Sequence, residues 1–470
     1  MSFTSYSYIA FLIFGVVAVR MTSGRSREHL LLALSLFFYA TWNVYFLALL
    51  VGLGGFTYLA GHHVNRSRGQ LRALVLPIGA IVLVLSAFKY TGMLIEGTNL
   101  LLPENQSIPV PSIILPLGIS FYTFECISYL LDVYKKGGQE LLPFRRFLLF
   151  PSFWPHLVAG PILRVKEFAP QLDRLDKASV NEIVLGAERV LVGLLKKLVL
   201  ANSLAPLVDG GFSEGARTNS ALDNWVLAAA FGLQIYFDFS SYTDIAIGSA
   251  RMVGFRFPEN FNLPYHARSP SEFWNRWHMT LSRWIRDYLF FPLNMKAGKR
   301  VYLRYLSLVA VMAIVGLWHG AGLVFILWGV WHGVLMVLHR LAETGAKKLP
   351  AGVQRPLGLL GQLATLGLVT AGWVLFRAPT IGQAGRMLAS MFTVHGLKPA
   401  YSANDYLIVL FCMFEYALIE PQFKRLAERE PTMLDHRRWT FWLRPVAYVA
   451  AVELVFMFDK SNVAFIYFQF

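Results

Sequence analysis

Apolar residues gather into runs of roughly twenty, the length that spans a bilayer as a helix, and short polar stretches part them from Ser7 to Phe470. The first run, residues 7–19, has no basic segment before it and no small-residue cleavage site after it. It therefore predicts a membrane helix, not a leader peptide. Lys and Arg sort the connecting loops. Arg20, Arg25 and Arg27 follow the first run, and Arg66, Arg68 and Arg72 follow a pair of runs within residues 30–61. Lys135, Lys136, Arg145 and Arg146 follow the run 111–134, and further basic clusters lie at 296–304, 347–355 and 424–444. By contrast, residues 96–112 carry no Lys or Arg, residues 205–224 carry one Arg against three acids, and residues 393–405 are nearly neutral.

Basic loops stay cytoplasmic, so strict alternation gives about 12 crossings of about 20 residues each and puts both termini on the periplasmic side. Two stretches depart from plain spans. Residues 147–160 are short, hold Pro151 and Pro155 and return to a basic segment, which suits a re-entrant hairpin. Residues 279–293 alternate apolar bulk with Arg283, Arg286 and Asp287, the pattern of an amphipathic helix in the cytoplasmic interface. The fold expected is an all-α polytopic membrane protein, one domain over residues 1–470.

Composition narrows the class. Of 470 residues, 56% are hydrophobic and only 15% charged, and the mean hydropathy is +0.49. No soluble domain has that balance. Two cysteines, Cys126 and Cys412, exclude a disulfide scaffold and a Cys-based metal set. Lys and Arg outnumber Asp and Glu by 43 to 28; in a membrane chain this surplus answers to cytoplasmic loops and anionic lipid headgroups, not to nucleic acid. There is no internal repeat to support a transporter built from duplicated halves.

Candidate chemistry lies where ionisable residues interrupt the apolar runs. His319 sits between two runs in Gly316-Leu317-Trp318-His319-Gly320, where an ionisable group costs about 2.5 kcal/mol or more unless it faces a cavity or a partner. A water-lined hollow around this ring is therefore expected. His332 follows in the next helix, as a second site residue or a satisfied structural histidine. No carboxylate or thiol near either gives metal-ligand spacing, so no metal site is expected. His278 closes Phe273-Trp274-Asn275-Arg276-Trp277-His278. Trp274, Trp277 and Trp284 recur with a period near 3.5, one aromatic helix face. With Arg276, Arg283 and Arg286 it could hold an anionic, aromatic ligand such as acyl-CoA or a nucleotide, or simply lipid headgroups. Asp238, Ser240, Tyr242, Thr243 and Asp244 form a polar stripe in an apolar helix. Buried carboxylates there serve function or pair with a cation; a proton or sodium path is the weaker rival, because the other spans offer no matching acids. His156, in the re-entrant segment, has a structural role.

Four segments taken together carry a family resemblance: residues 116–124 (PLGISFYTF), 158–162 (VAGPI), 262–265 (NLPY) leading into 273–278 (FWNRWH), and 316–321 (GLWHGA). In this order they resemble the membrane-bound O-acyltransferases, and within them the bacterial branch that includes an alginate O-acetylation membrane protein and a teichoic-acid D-alanylation membrane protein. The similarity runs over nearly the whole chain; Ser241 departs from it, standing where that branch usually has Gly. The resemblance implies a ring of tilted helices around a thin centre, with a cavity open to both faces. It implies His319 and His278 as catalytic residues. Trp274, Arg276, Trp277, Trp318, Asp238, Ser240 and Tyr242 then bind the donor or line the cavity. Residues 465–470 resemble the branch's carboxy-terminal Phe-x-Tyr-x-x-Phe motif, which makes Tyr467 an acyl-carrier candidate; an aromatic interfacial anchor is the other reading of the same residues.

The function implied is transfer of an acetyl group from cytoplasmic acetyl-CoA, with no further cofactor, to a periplasmic acetyltransferase partner that modifies an exopolysaccharide such as alginate or cellulose. The donor cannot leave the cytoplasm and the glycan is outside, so only the acetyl group must cross. The runner-up is D-alanyl or another acyl transfer to an envelope polymer. A polysaccharide transporter and a non-catalytic scaffold are alternatives from other classes.

Overall fold

The computed structural model describes residues 1–67, 69–138, 140–174, 178–213, 220–346, 351–393, 401–429, 439–459 and 465–466. Among these residues the chain is helical, with no strand. Its contacts sort it into two compact units, Met1–Val192 with Tyr242–Pro258, and Gly193–Ser241 with Glu259–Phe470.

In the first unit, helices Tyr6–Met21, Gly24–Ala40, Val44–Arg66, Leu71–Lys89 and Ile119–Lys136 follow the apolar runs. Their starts are set by local chemistry: Ser5 accepts from the Tyr8 N–H, and Asn43 accepts from the N–H groups of Tyr45 and Phe46. The re-entrant segment takes the form of a short helix, Phe144–Ser152, followed by buried non-helical chain through Leu163. Irregular backbone survives at such depth only if its polar groups are satisfied. Here the Trp154 N–H donates to Ser35 Oγ, while His156 reaches Glu125 Oε1 at 3.0 Å and the Phe150 carbonyl at 3.0 Å. His156 is thus structural, as expected.

The second unit is organised around a helical hairpin, Val301–His319 and Leu323–Ala346. Its two backbones touch. A Cβ on Gly316 would lie 2.0 Å from the Phe325 carbonyl oxygen, and one on Gly329 would lie 2.1 Å from that of Met312. Small residues on facing helices permit this approach, and dispersion over the resulting contact holds the pair where lipid supplies no hydrophobic drive. Of the hairpin's three histidines, it brings His319 and His332 to buried positions in this unit.

Five helices among the described residues are long and apolar enough to cross a membrane: Val44–Arg66, Leu71–Lys89, Val301–His319, Leu323–Gly345 and Gly358–Arg377. Leu83, Leu306 and Leu363 on them are exposed, as lipid-facing residues are. The charge alternation called for more crossings. Other runs are interrupted by π turns, at Lys196–Ala201 and Glu415–Ile419, or carry ionic groups inside the helix, as Ala221–Met252 does. The interfacial stretch is likewise broken, into Met279–Ile285, a π turn Arg286–Phe290, and Phe291–Ala297. It is amphipathic as expected, with Leu281, Trp284, Ile285 and Tyr288 buried and Arg286 exposed.

Candidate active site

Three histidines of the second unit are joined by aromatic rings. The ring of Trp318 lies 4.8 Å from His319 and 6.4 Å from His278, centroid to centroid. Trp328 lies 5.2 Å from His319 and 5.0 Å from His332. Phe376, on the helix Ala351–Arg377, closes over His319 at 5.5 Å. His319 is 3% exposed. In place of the expected water-lined hollow, aromatic rings cover this imidazole, because the glycine-tight hairpin draws Trp318 and Trp328 against it.

His278 occupies a conformation that its sequence did not announce. The helix Pro270–Arg276 ends at Trp277, and His278 adopts φ 43°, a left-handed backbone that costs a non-glycine residue on the order of 1 kcal/mol. The break overturns the single aromatic face expected from Trp274, Trp277 and Trp284. Trp274 packs on Trp328 and His332, Trp277 stacks on Phe273 and meets Trp373, and Trp284 pairs with Tyr288.

Asn260 holds the strained turn. Its Oδ1 accepts from Thr280 N at 3.2 Å and Thr280 Oγ1 at 2.8 Å, and lies 3.1 Å from His278 Nδ1. A backbone N–H can only donate, so the amide atom facing it is the oxygen, and His278 Nδ1 must carry the proton. The lone pair then resides on Nε2, the form of imidazole that accepts hydrogens.

The remaining predicted residues are also buried, with one exception. Arg276 is half-buried, paired with Glu272 at 2.8 Å and donating to the Asn262 carbonyl. Asp238 is paired with Lys197 at 2.6 Å, and its other oxygen accepts the Ile466 N–H at 2.6 Å. Ser240 is buried in the same unit. Tyr242 belongs to the other unit, buried with its ring 6.0 Å from Phe3, and Asp244 there pairs with Arg189 at 2.9 Å. The two carboxylates of the polar stripe are therefore held in ion pairs. The expectation that the other spans offer no matching acids is corrected: Glu125 and Glu420 are both buried, with His156 and Lys196 as partners. Tyr467 lies outside the described residues.

The model of the MBOAT, membrane-bound O-acyltransferase family, matches residues 137–352, which include His278, His319 and His332. A Pseudomonas aeruginosa protein named "Probable alginate O-acetylase AlgI" is 38% identical over 79% of this chain and 71% of its own length. The peptidoglycan O-acetyltransferase of Helicobacter pylori is 31% identical over 93% of this chain and 90% of its own. The teichoic acid D-alanyltransferase of Bacillus subtilis is 28% identical over 57% and 70%. The chain belongs to the membrane-bound O-acyltransferase family.

It is a multi-pass membrane enzyme, an O-acyltransferase. Sequence reasoning missed several residues that the structure packs around this candidate site: Asn260, Trp328, Trp373 and Phe376, and behind them Lys196, Lys197 and Glu420. The lysines did leave a signal, since two adjacent cations inside the apolar run 190–201 demand buried acids. The π turn at Lys196–Ala201 sends both inward, one to Glu420 and one to Asp238.

Proposed function

We propose that this acyltransferase moves an acetyl group from cytoplasmic acetyl-CoA across the bacterial inner membrane, for O-acetylation of an exported or envelope polysaccharide by a periplasmic partner. The observation that carries the reading is the pair of imidazoles on either side of Trp318, one of them fixed by Asn260 with its acceptor nitrogen at Nε2. His319 takes the proton of the attacking hydroxyl, a task suited to a group that titrates near neutrality. His278 Nε2 accepts a hydrogen bond from an amide N–H of the donor's pantetheine arm and orients the thioester. Aromatic rings pack against both histidines, Trp318, Trp328 and Phe376 on His319 and Phe239 and Trp318 on His278, which favours a small neutral acyl group at the reacting centre.

The hydroxyl in this reading belongs first to Tyr467, which carries the acetyl group to the periplasmic side. Two contacts support it: Ile466 is held by Asp238, and Phe465 packs 6.1 Å from Phe239, whose ring is 4.7 Å from His278. The acetyl donor is preferred to a D-alanyl donor because the relatives with the greater identity are named for O-acetylation, of alginate and of peptidoglycan. Both termini lie on the periplasmic side in this reading.

The test supplies acetyl-CoA, labelled in its acetyl group, to the cytoplasmic face of inverted vesicles. Label is expected on the C-terminal peptide of the wild type, lost in Tyr467→Phe. Label that never leaves CoA would remove the acetyl-CoA reading, and label that reaches glycan equally well in Tyr467→Phe would remove the carrier.

A further inference from the structure

Beside His319 lies a group of polar atoms that the reading above leaves unused. His332 is fully buried, and neither of its ring nitrogens has a hydrogen-bond partner among the described residues; the same holds for Nε1 of Trp274 and Nε1 of Trp328. The three rings form a triangle, with centroids 5.3 Å apart for Trp274 and His332, 5.0 Å for Trp328 and His332, and 5.7 Å for Trp274 and Trp328. A single unsatisfied buried polar group is costly, and native interiors hold few. Three adjacent ones are not explained by packing, which Phe or Leu would supply without the penalty. Two indoles can only donate, and a neutral imidazole offers one further donor. Such a set suits an oxygen that gains negative charge.

We propose that Trp274, Trp328 and His332 bind the acyl carbonyl oxygen of the thioester donor. This rests on the acetyl-CoA reading above and assigns the place of the carbonyl within it. Trp328 touches both His319 and His332, so an acyl group held here lies next to the base. The acceptor's hydroxyl oxygen bonds to the carbonyl carbon while its proton passes to His319, and the carbonyl π pair moves onto the oxygen. The ring N–H groups stabilise that oxyanion. The pair then returns to re-form the carbonyl, the carbon–sulfur bond breaks, and the CoA thiolate takes the proton from His319. Ester and thiol result. Gly372 closes this group on one side: a Cβ there would stand 3.4 Å from His332 Nε2 and 3.1 Å from the Trp331 ring, so only bare backbone fits against them.

The test compares two donor analogues on the purified full-length protein: the ketone in which a methylene replaces the thioester sulfur of acetyl-CoA, and S-ethyl-CoA, which has no carbonyl. Trp328→Phe and Trp274→Phe keep a ring and remove the N–H. Each is expected to weaken the ketone by about tenfold, the scale of one lost hydrogen bond, and to leave S-ethyl-CoA unchanged. Turnover should fall on the order of a hundredfold with little change in KM. Equal weakening of both analogues, or of neither, would overturn the carbonyl site. If the wild type binds neither analogue, the acetyl-CoA reading falls and this site falls with it. His332→Phe, which keeps an aromatic ring, repeats the comparison where an indole variant lowers protein yield.

Discussion

Nδ1 of His278 lies 3.1 Å from Oδ1 of Asn260, and the same oxygen takes both the N–H and the hydroxyl of Thr280. One amide therefore sets the tautomer of the imidazole and stabilises the positive φ at which it sits. Asn260→Ala should lower turnover by up to about 10⁴-fold, the scale seen when a catalytic histidine loses the neighbour that fixes its tautomer. Labelled acetyl transfer in vesicles measures this. Turnover equal to wild type would mean that the orientation of His278 is not used.

His319→Ala should abolish acyl transfer while the protein still accumulates in the membrane. Loss of a general base costs about 10²- to 10⁴-fold, and the small side chain leaves the neighbouring rings of Trp318, Trp328 and Phe376 in place. Persistent wild-type transfer would move the base elsewhere, with His278 first in line.

The hairpin that carries His319 depends on bare backbone. Gly329→Ala puts a methyl group 2.1 Å from the Met312 carbonyl oxygen, and relieving that clash by moving helices apart costs at least about 1–3 kcal/mol. A thermal melt in detergent should show a drop of several degrees, with lower membrane yield. Gly345→Ala, on the same helix with nothing within 4 Å of its new Cβ, is the control and should melt as wild type.

Hydropathy and loop charge made the helical class, the buried setting of His319 and the broken segment around His156 legible, because each follows from the cost of placing polar groups at membrane depth. What they could not reveal depends on contacts between distant segments. Lys196 and Glu420 are 224 positions apart, so each appears in sequence as an isolated charge. The turn at His278 was hidden for a different reason. Tryptophan spacing continues through residues 274–284 as if one helix ran there, and only Asn260, far upstream of it, explains why the chain turns. The cover over His319 was hidden too, since Phe376 comes from a helix that no motif tied to it.

Asp238 and Lys197 are both buried, 2.6 Å apart. Removing one partner of such a pair leaves an uncompensated charge and costs about 3–5 kcal/mol, whereas removing both can be nearly neutral. Asp238→Asn and Lys197→Met should each lower the melting temperature sharply, and the double variant should recover most of the loss. If the double variant is as unstable as the sum of the singles, the pair is not coupled. The Asp238 variants carry a second readout, because the carboxylate also accepts the Ile466 N–H. Proteolysis of the C-terminal segment should quicken when that acceptor is weakened.

Acid should act through Glu28. Its carboxylate is buried and held by two guanidiniums, Arg145 at 2.7 Å and Arg146 at 2.8 Å, all within the first unit. Burial by itself would raise its pKa, but the hydrogen bonds and charges of Arg146 and Arg145 outweigh that, and the group lies below its ordinary value of 4.5. A carboxyl depressed on folding stabilises the native state fully above its unfolded pKa, and the contribution disappears as pH falls through the lower, folded value. Wild type should therefore keep this contribution at pH 7 and lose it below about pH 4.5, as melts across that range will measure. Glu28→Gln should melt lower than wild type at pH 7, and the gap between them should close as the pH falls below that point. A gap that stays constant down to pH 3 would show that charge at Glu28 contributes nothing, and that the two arginines are held by packing alone.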